Sequence, residues 1–169
     1  VFGAAEPDRA AGHAVTVAEV LAQAERNIDT AFKDQPLLEA KVRHAMGTTY
    51  FHLGQFGPAE RHLARARALQ IGLLGTEHVD TLKATQDVAV VYFYEGKYEE
   101  AQKLTEQTLA ARSRLLGEEH KDTLESMTTL AVMLHQQGKR AEARELLEAS
   151  LALKTVSYTH LRAHETGKI

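Results

Sequence analysis

The chain reads as an all-α solenoid of antiparallel helix pairs, on three observations. The string Leu73-Leu74-Gly75-Thr76-Glu77-His78-Val79-Asp80-Thr81-Leu82 returns 42 positions later as Leu115-Leu116-Gly117-Glu118-Glu119-His120-Lys121-Asp122-Thr123-Leu124. Other positions keep that step: Gly54, Gly96 and Gly138; Ala59, Ala101 and Ala143; Tyr50 and Tyr92; Phe56 and Tyr98. Between them, apolar residues recur at three and four spacing, as on a helix with one buried face. Self-similarity at a fixed period of this size marks a stack of like units, each touching its neighbours.

Residues 1–15 are small and polar, lack a helical period and read as a linker. Residues 16–35 form an N-terminal packing helix: Thr16 with Glu19 fits a capping box, in which hydroxyl and carboxylate each satisfy an orphan backbone N–H. Val17, Val20, Leu21, Ala24, Ile28 and Ala31 continue it as an apolar stripe. Asp34-Gln35-Pro36 ends that helix and opens the next, since proline suits a first helical turn. Three helix pairs then span 36–78, 79–120 and 121–155.

In the first pair Val42, Ala45, Met46, Thr49, Tyr50 and Leu53 share a face, and Gly54 closes the helix in the left-handed conformation. Its partner carries Phe56, Ala59, Leu63, Ala66 and Leu73 on one face, up to Gly75. The pair recurs over about 79–95 with 98–115 and about 121–137 with 140–154. Val88 to Tyr94 (VAVVYFY) has the composition of a strand. It aligns with a clear helix one period earlier, so it is assigned to a helix.

The 169 residues are 44% hydrophobic and 6% aromatic with no Trp, which points to a continuous core of Leu, Ala and Val. Only 3 Pro and 11 Gly argue against long disordered linkers. The formal net charge of −3, with signs interspersed, gives no basic footprint for nucleic acid. Absence of Cys excludes disulfides, thiolate zinc sites and a Cys nucleophile. Val88 to Tyr94, the longest apolar run, is far short of the ~20 residues that span a bilayer, so no membrane insertion is expected. The chain opens on Val1 without a basic-then-apolar leader, and is expected to be a piece whose start lies upstream.

Catalytic chemistry finds no support. There is no Gly-rich phosphate loop, no Gly-x-Ser-x-Gly and no His-Glu-x-x-His. His78 and His120 hold equivalent places, so the repeat itself accounts for them. His44 and His52 are eight apart, whereas a chelating pair on one helix prefers a spacing of four. No catalytic residue, cofactor or metal ligand is assigned.

The joint pattern Gly47/Ala89/Ala131, Tyr50/Tyr92/Leu134, Gly54/Gly96/Gly138, Phe56/Tyr98/Arg140 and Ala59/Ala101/Ala143 resembles the tetratricopeptide repeat. The 42-residue step and the Leu-Gly-x-Glu-His-x-Asp-Thr connector resemble its kinesin-light-chain variety. That resemblance implies a right-handed superhelix, with small residues allowing close helix crossing and aromatics filling the gaps between pairs. Arg140 stands where an aromatic is usual, and Thr108 and Ser150 where alanine is, so looser packing is expected of the last pair.

The resemblance further implies a protein or peptide partner held on the concave face, which the first helix of each pair lines. Its positions here are Lys41, His44, Thr48, Phe51 and His52; then Lys83, Gln86, Asp87, Val90, Phe93 and Tyr94; then Thr128, Thr129, Val132, His135 and Gln136. Phe51, Phe93 and Tyr94 either anchor a ligand or pack on the neighbouring repeat. The family's carboxylate clamp needs basic and asparagine residues where His44, Thr48, Asp87, Glu125 and Thr129 stand. Gln86-Asp87 and Thr128-Thr129 replace the asparagine pair of kinesin-light-chain repeats. Neither ligand mode is expected.

The run from Val1 to Tyr50, with Glu6-Pro7-Asp8-Arg9, is similar to the juncture in bacterial serine/threonine protein kinases with C-terminal repeats. That implies a sensor or docking region beyond a membrane, with the kinase domain in an absent segment. The other reading is a freestanding cytoplasmic adaptor. After Thr155 the period stops, and residues 156–169 are read as a non-native tail, since Val156 to Thr166 resembles one translated frame of a sequencing adapter.

Overall fold

A computed structural model describes residues 16–166, the last eleven of them by backbone alone. Seven helices follow one another: α1 (Val17–Ala31), α2 (Pro36–His52), α3 (Phe56–Leu74), α4 (Val79–Tyr94), α5 (Tyr98–Leu116), α6 (Lys121–Gln136) and α7 (Arg140–Thr166). Each of α2 to α7 packs on its sequence neighbours, and α2, α4 and α6 also touch in series. Long-range order is thus built from nearest-neighbour seams, as in a solenoid. The strand-like Val88–Tyr94 run lies wholly within α4. No helix among the described residues is long and apolar enough to cross a membrane.

Small residues set how closely the helices cross. Ala59, Ala101 and Ala143 are buried at equivalent places. At Gly47 a Cβ would stand 2.6 Å from Leu63 Cγ and 3.1 Å from Leu63 N, so α2 and α3 meet there at a distance only glycine permits. Thr108 and Ser150, in alanine's place, are buried too, and the Thr108 hydroxyl donates to Leu104 O at 2.8 Å. Arg140, by contrast, is exposed.

Two kinds of connector alternate. Within a pair, Gly54, Gly96 and Gly138 take φ of 72°, 81° and 82°, and the next residue's N–H returns to a carbonyl five positions back, as Gln55 does to Tyr50 at 2.9 Å. Between pairs, Gly75 and Gly117 take φ of 89° and 91° with ψ of 168° and 162°, a region closed to side-chain-bearing residues. His78 and His120 then cap the next helix: each ring Nδ1 accepts the backbone N–H two residues on, at 3.2 Å. The repeated histidines are therefore helix caps.

The N-terminal helix departs from its expected stripe. The Thr16–Glu19 capping box is formed, and its hydrogen bonds hold the Glu19 carboxyl below the usual carboxylate range. Only Ile28 is buried, and Leu21 packs partly on the Tyr50–Leu63 cluster, while Val17 and Val20 are exposed. Charged pairs make up the docking: Glu25 meets buried His62, and Asp29 meets buried Arg43, which also reaches Glu39 at 2.6 Å. Leu73 is likewise exposed rather than on the buried face of α3. At the far end, α7 does not stop near residue 154 but stays helical to Thr166, since no glycine or proline breaks the sequence before Gly167.

Candidate functional site

The first helices of the pairs, α2, α4 and α6, form one face with two clefts of different chemistry. Between α2 and α4 a cleft of about 250 Å³ is lined by Lys41, His44, Gln70, Asp80 and Lys83. At its floor His44 Nε2 lies 2.6 Å from Asp87 Oδ2, tying the two helices together. Lys41 and Lys83 are exposed and have no ion-pair partner among the described residues. Between α4 and α6 a cleft of about 210 Å³ is lined by Val90, Phe93, Tyr94, Thr128, Thr129 and Val132, with Met133 behind. The threonine hydroxyls turn back onto their own helix: Thr128 donates to Leu124 O and Thr129 to Glu125 O, both at 2.9 Å. That leaves methyls, valines and rings facing the cleft.

The rings pack between repeats and also border the apolar cleft. Tyr94 meets Phe51 edge-on at 5.1 Å between centroids and stacks on Phe56 at 5.5 Å, so it packs on the preceding pair. It is nonetheless 57% exposed and lines the apolar cleft. Phe93 bridges Tyr94 and Tyr98. Phe51 is half-buried, and His52 sits edge-on to it at 5.6 Å, at the rim. Thr48 closes its hydroxyl onto Ala45 O at 2.9 Å.

Gln86 is not a groove residue. It is 3% exposed and lies in the seam behind α4, where it accepts from the Ser126 hydroxyl at 3.0 Å; Arg112 donates to Ser126 and to Asp122 O, both at 2.8 Å. His135 lies on α6 at the open end of the array, beside Ala143 and Leu147. Sequence reasoning missed Gln70, Asp80 and Met133 as lining residues. Gln70 lies on a second helix, α3, Asp80 sits in the first turn of α4 ahead of the positions assigned to the groove, and Met133 follows the groove position Val132.

Two titrating groups are displaced nearby. Burial, with the Glu25 carboxylate adding to it, pushes the Tyr50 phenol above its ordinary range. Hydrogen bonds to Glu95 and then Glu60 push the Lys97 ammonium up, and its charge sits 4.8 Å above the Tyr92 ring.

A right-handed stack of helix pairs with a polar and an apolar cleft along its inner face defines a repeat-built protein-interaction scaffold. The sequence profile of the tetratricopeptide repeat matches residues 38–112 and 84–155, and the chain belongs to the tetratricopeptide repeat family. No curated protein matches it at a significant level. Among solved structures it is similar to the nearly identical repeats of a Podospora anserina protein classed with the kinesin light chains, at 28% identity, TM-score 0.73, over 84% of this chain and 68% of that one. BtubC of P. vanneervenii has the same fold at 17% identity and TM-score 0.70, over 83% of this chain and 56% of that one. The repeat domain of Arabidopsis FLU aligns at 20% identity and TM-score 0.60, over 71% of this chain and 95% of that one.

Proposed function

We propose that the face formed by α2, α4 and α6 binds a segment of a partner protein, anchored by an apolar side chain between α4 and α6. One observation carries this reading. Val90, Phe93, Tyr94 and Val132 line a cleft that no side chain among the described residues fills, with Tyr94 57% and Val132 53% exposed. Burying such a surface favours association, and aromatic anchors tend to dominate interface energies. Lys41 and Lys83 at the other end favour a carboxylate-bearing flank.

Panning a displayed peptide library against the protein tests this. Selected peptides should carry an apolar anchor and lose at least about tenfold in affinity to Val132→Asp. Phe93→Ala with Tyr94→Ala should abolish capture while helicity persists. Peptides that bind Val132→Asp as well as the parent place recognition on another surface.

We further propose that the repeats are the docking or sensor region of a membrane-anchored serine/threonine protein kinase, on the likeness of the Val1–Tyr50 run to that juncture. Residues 1–15, which carry its Glu6-Pro7-Asp8-Arg9, lie outside the described residues. In this reading residues 156–169 are an adapter-derived tail, supported by the loss of the repeat period after Thr155. Sequencing source DNA through both ends decides it. A kinase domain and an apolar span upstream support it; a start codon just before Val1 makes the protein a freestanding adaptor.

A further inference from the structure

Away from the groove, a cleft of about 380 Å³ opens where α3, the start of α4 and the second half of α5 meet. Arg67, Arg114, Thr76 and Thr81 supply its polar wall, and Ile71, Leu82 and Ala111 its apolar one. Thr81 is 1% exposed and its hydroxyl has no hydrogen-bond partner among the described residues. Its counterpart one period on, Thr123, donates to Gly117 O at 2.8 Å. A buried hydroxyl left unpaired is costly, so one kept at a cleft wall marks a place where a ligand supplies the partner.

Arg67 is held ready for such a ligand. Its Nε donates to Thr85 Oγ1 at 2.9 Å, and the Thr85 hydroxyl donates in turn to Thr81 O at 2.7 Å. The inner nitrogen is pinned, while the two outer guanidinium nitrogens have no partner among the described residues. Arg114 pairs with Glu77 at the mouth, on exposed side chains where an ion pair is weak and exchangeable. Neither arginine belongs to the repeat: Leu109 stands 42 positions after Arg67, and Gly72 stands 42 before Arg114. The period dictates neither side chain, and Arg67 uses only its Nε on the stack.

We propose that this cleft binds a phosphate monoester carried on a short apolar or aromatic stem. Arginine forks match phosphate oxygens and retain their charge at any physiological pH. The Thr81 hydroxyl donates to a third oxygen, and Ile71, Leu82 and Ala111 cover the stem. Arg114 exchanges Glu77 for the phosphate, so the mouth closes over a net attraction.

Phenyl phosphate titrated into the ¹⁵N-labelled chain tests this. Saturable shifts are expected, confined to residues 67–71, 76–85 and 107–114 in the absence of any at Phe93 or Val132. Arg67→Gln should weaken binding at least about tenfold and Thr81→Val about fivefold, as loss of charge-assisted hydrogen bonds requires. Thr81→Val, isosteric and removing an unpaired hydroxyl, should leave the thermal midpoint unchanged or raise it. A lowered midpoint would show the hydroxyl satisfied within the fold and sink the proposal, as would phenyl phosphate affinity unchanged in both variants. A phosphotyrosyl peptide run alongside assigns the source. Tighter binding than phenyl phosphate marks a modified protein, and equal binding marks a small metabolite.

Discussion

The seam between the first and second helix pairs is closed at its rim by rings, and the seam between the second and third is held beneath α4 and α6 by buried hydrogen bonds. At the first, Val88 and Val91 pack on Tyr50, Ala59 and Leu63, and Tyr94 wedges between Phe51 and Phe56 at the rim. At the second, Ala89 and Ala101 meet Met133, and Gln86, Ser126 and Arg112 form a polar chain under α4 and α6. One period earlier, Ser126 corresponds to Ala84, Gln86 to His44 and Arg112 to Gln70, so the first seam cannot build that chain. One period later, Phe51 and Phe56 become Phe93 and Tyr98 but Tyr94 becomes Gln136, so the second seam lacks the ring that wedges between them. The repeat fixes the backbone path through its small residues and leaves the chemistry of each seam free.

That contrast can be broken at graded cost. Arg112→Ala should destabilise most, by about 3 kcal/mol, because it strips charge-assisted bonds from Ser126 and the Asp122 carbonyl in a buried site. Denaturant unfolding reads it, and Ser126→Ala in the same background should then add little, since the two act as one unit. Gly47→Ala should cost about 2 kcal/mol through overpacking against Leu63, whereas Ala89→Gly at the equivalent place should leave the crossing intact. Tyr94→Ala should cost only about 1 kcal/mol, the worth of its ring pairs on an exposed side chain.

The smallest effect is in alkali. Tyr50 holds its proton more tightly folded than unfolded, so the stability tied to that proton is complete below pH about 10 and is lost as pH rises through the raised folded-state value. A stability profile from pH 8 to 12 should be flatter at its alkaline end in Tyr50→Phe than in the parent.

The helix pairs were legible because periodic residues state them several times over: glycines at 54, 96 and 138 and alanines at 59, 101 and 143 announce turns and crossings independently of propensity. The histidine caps were legible as places but not as roles, since histidine is not among the favoured capping residues. Gln86 was misplaced because its partners Ser126 and Thr105 lie 40 and 19 positions away, on α6 and α5, where no local pattern points. The α1 stripe misled for a related reason. Val17 and Val20 keep the spacing of a buried face, but α1 docks by Ile28, Leu21 and charged pairs, leaving them in solvent. Of the groove, the aromatic positions could be read in advance; the split into a polar and an apolar cleft could not, because Gln70 enters from α3 and Asp80 from the first turn of α4, outside the positions the repeat assigns to the groove.

Amide hydrogen exchange with and without a library-selected peptide tests the groove most directly. Slowed exchange along the second half of α4 and along α6, with α3 and α5 unchanged, is the expected result. Protection on α3 and α5 with α4 and α6 unaltered would contradict it and move the partner to the opposite side of the solenoid.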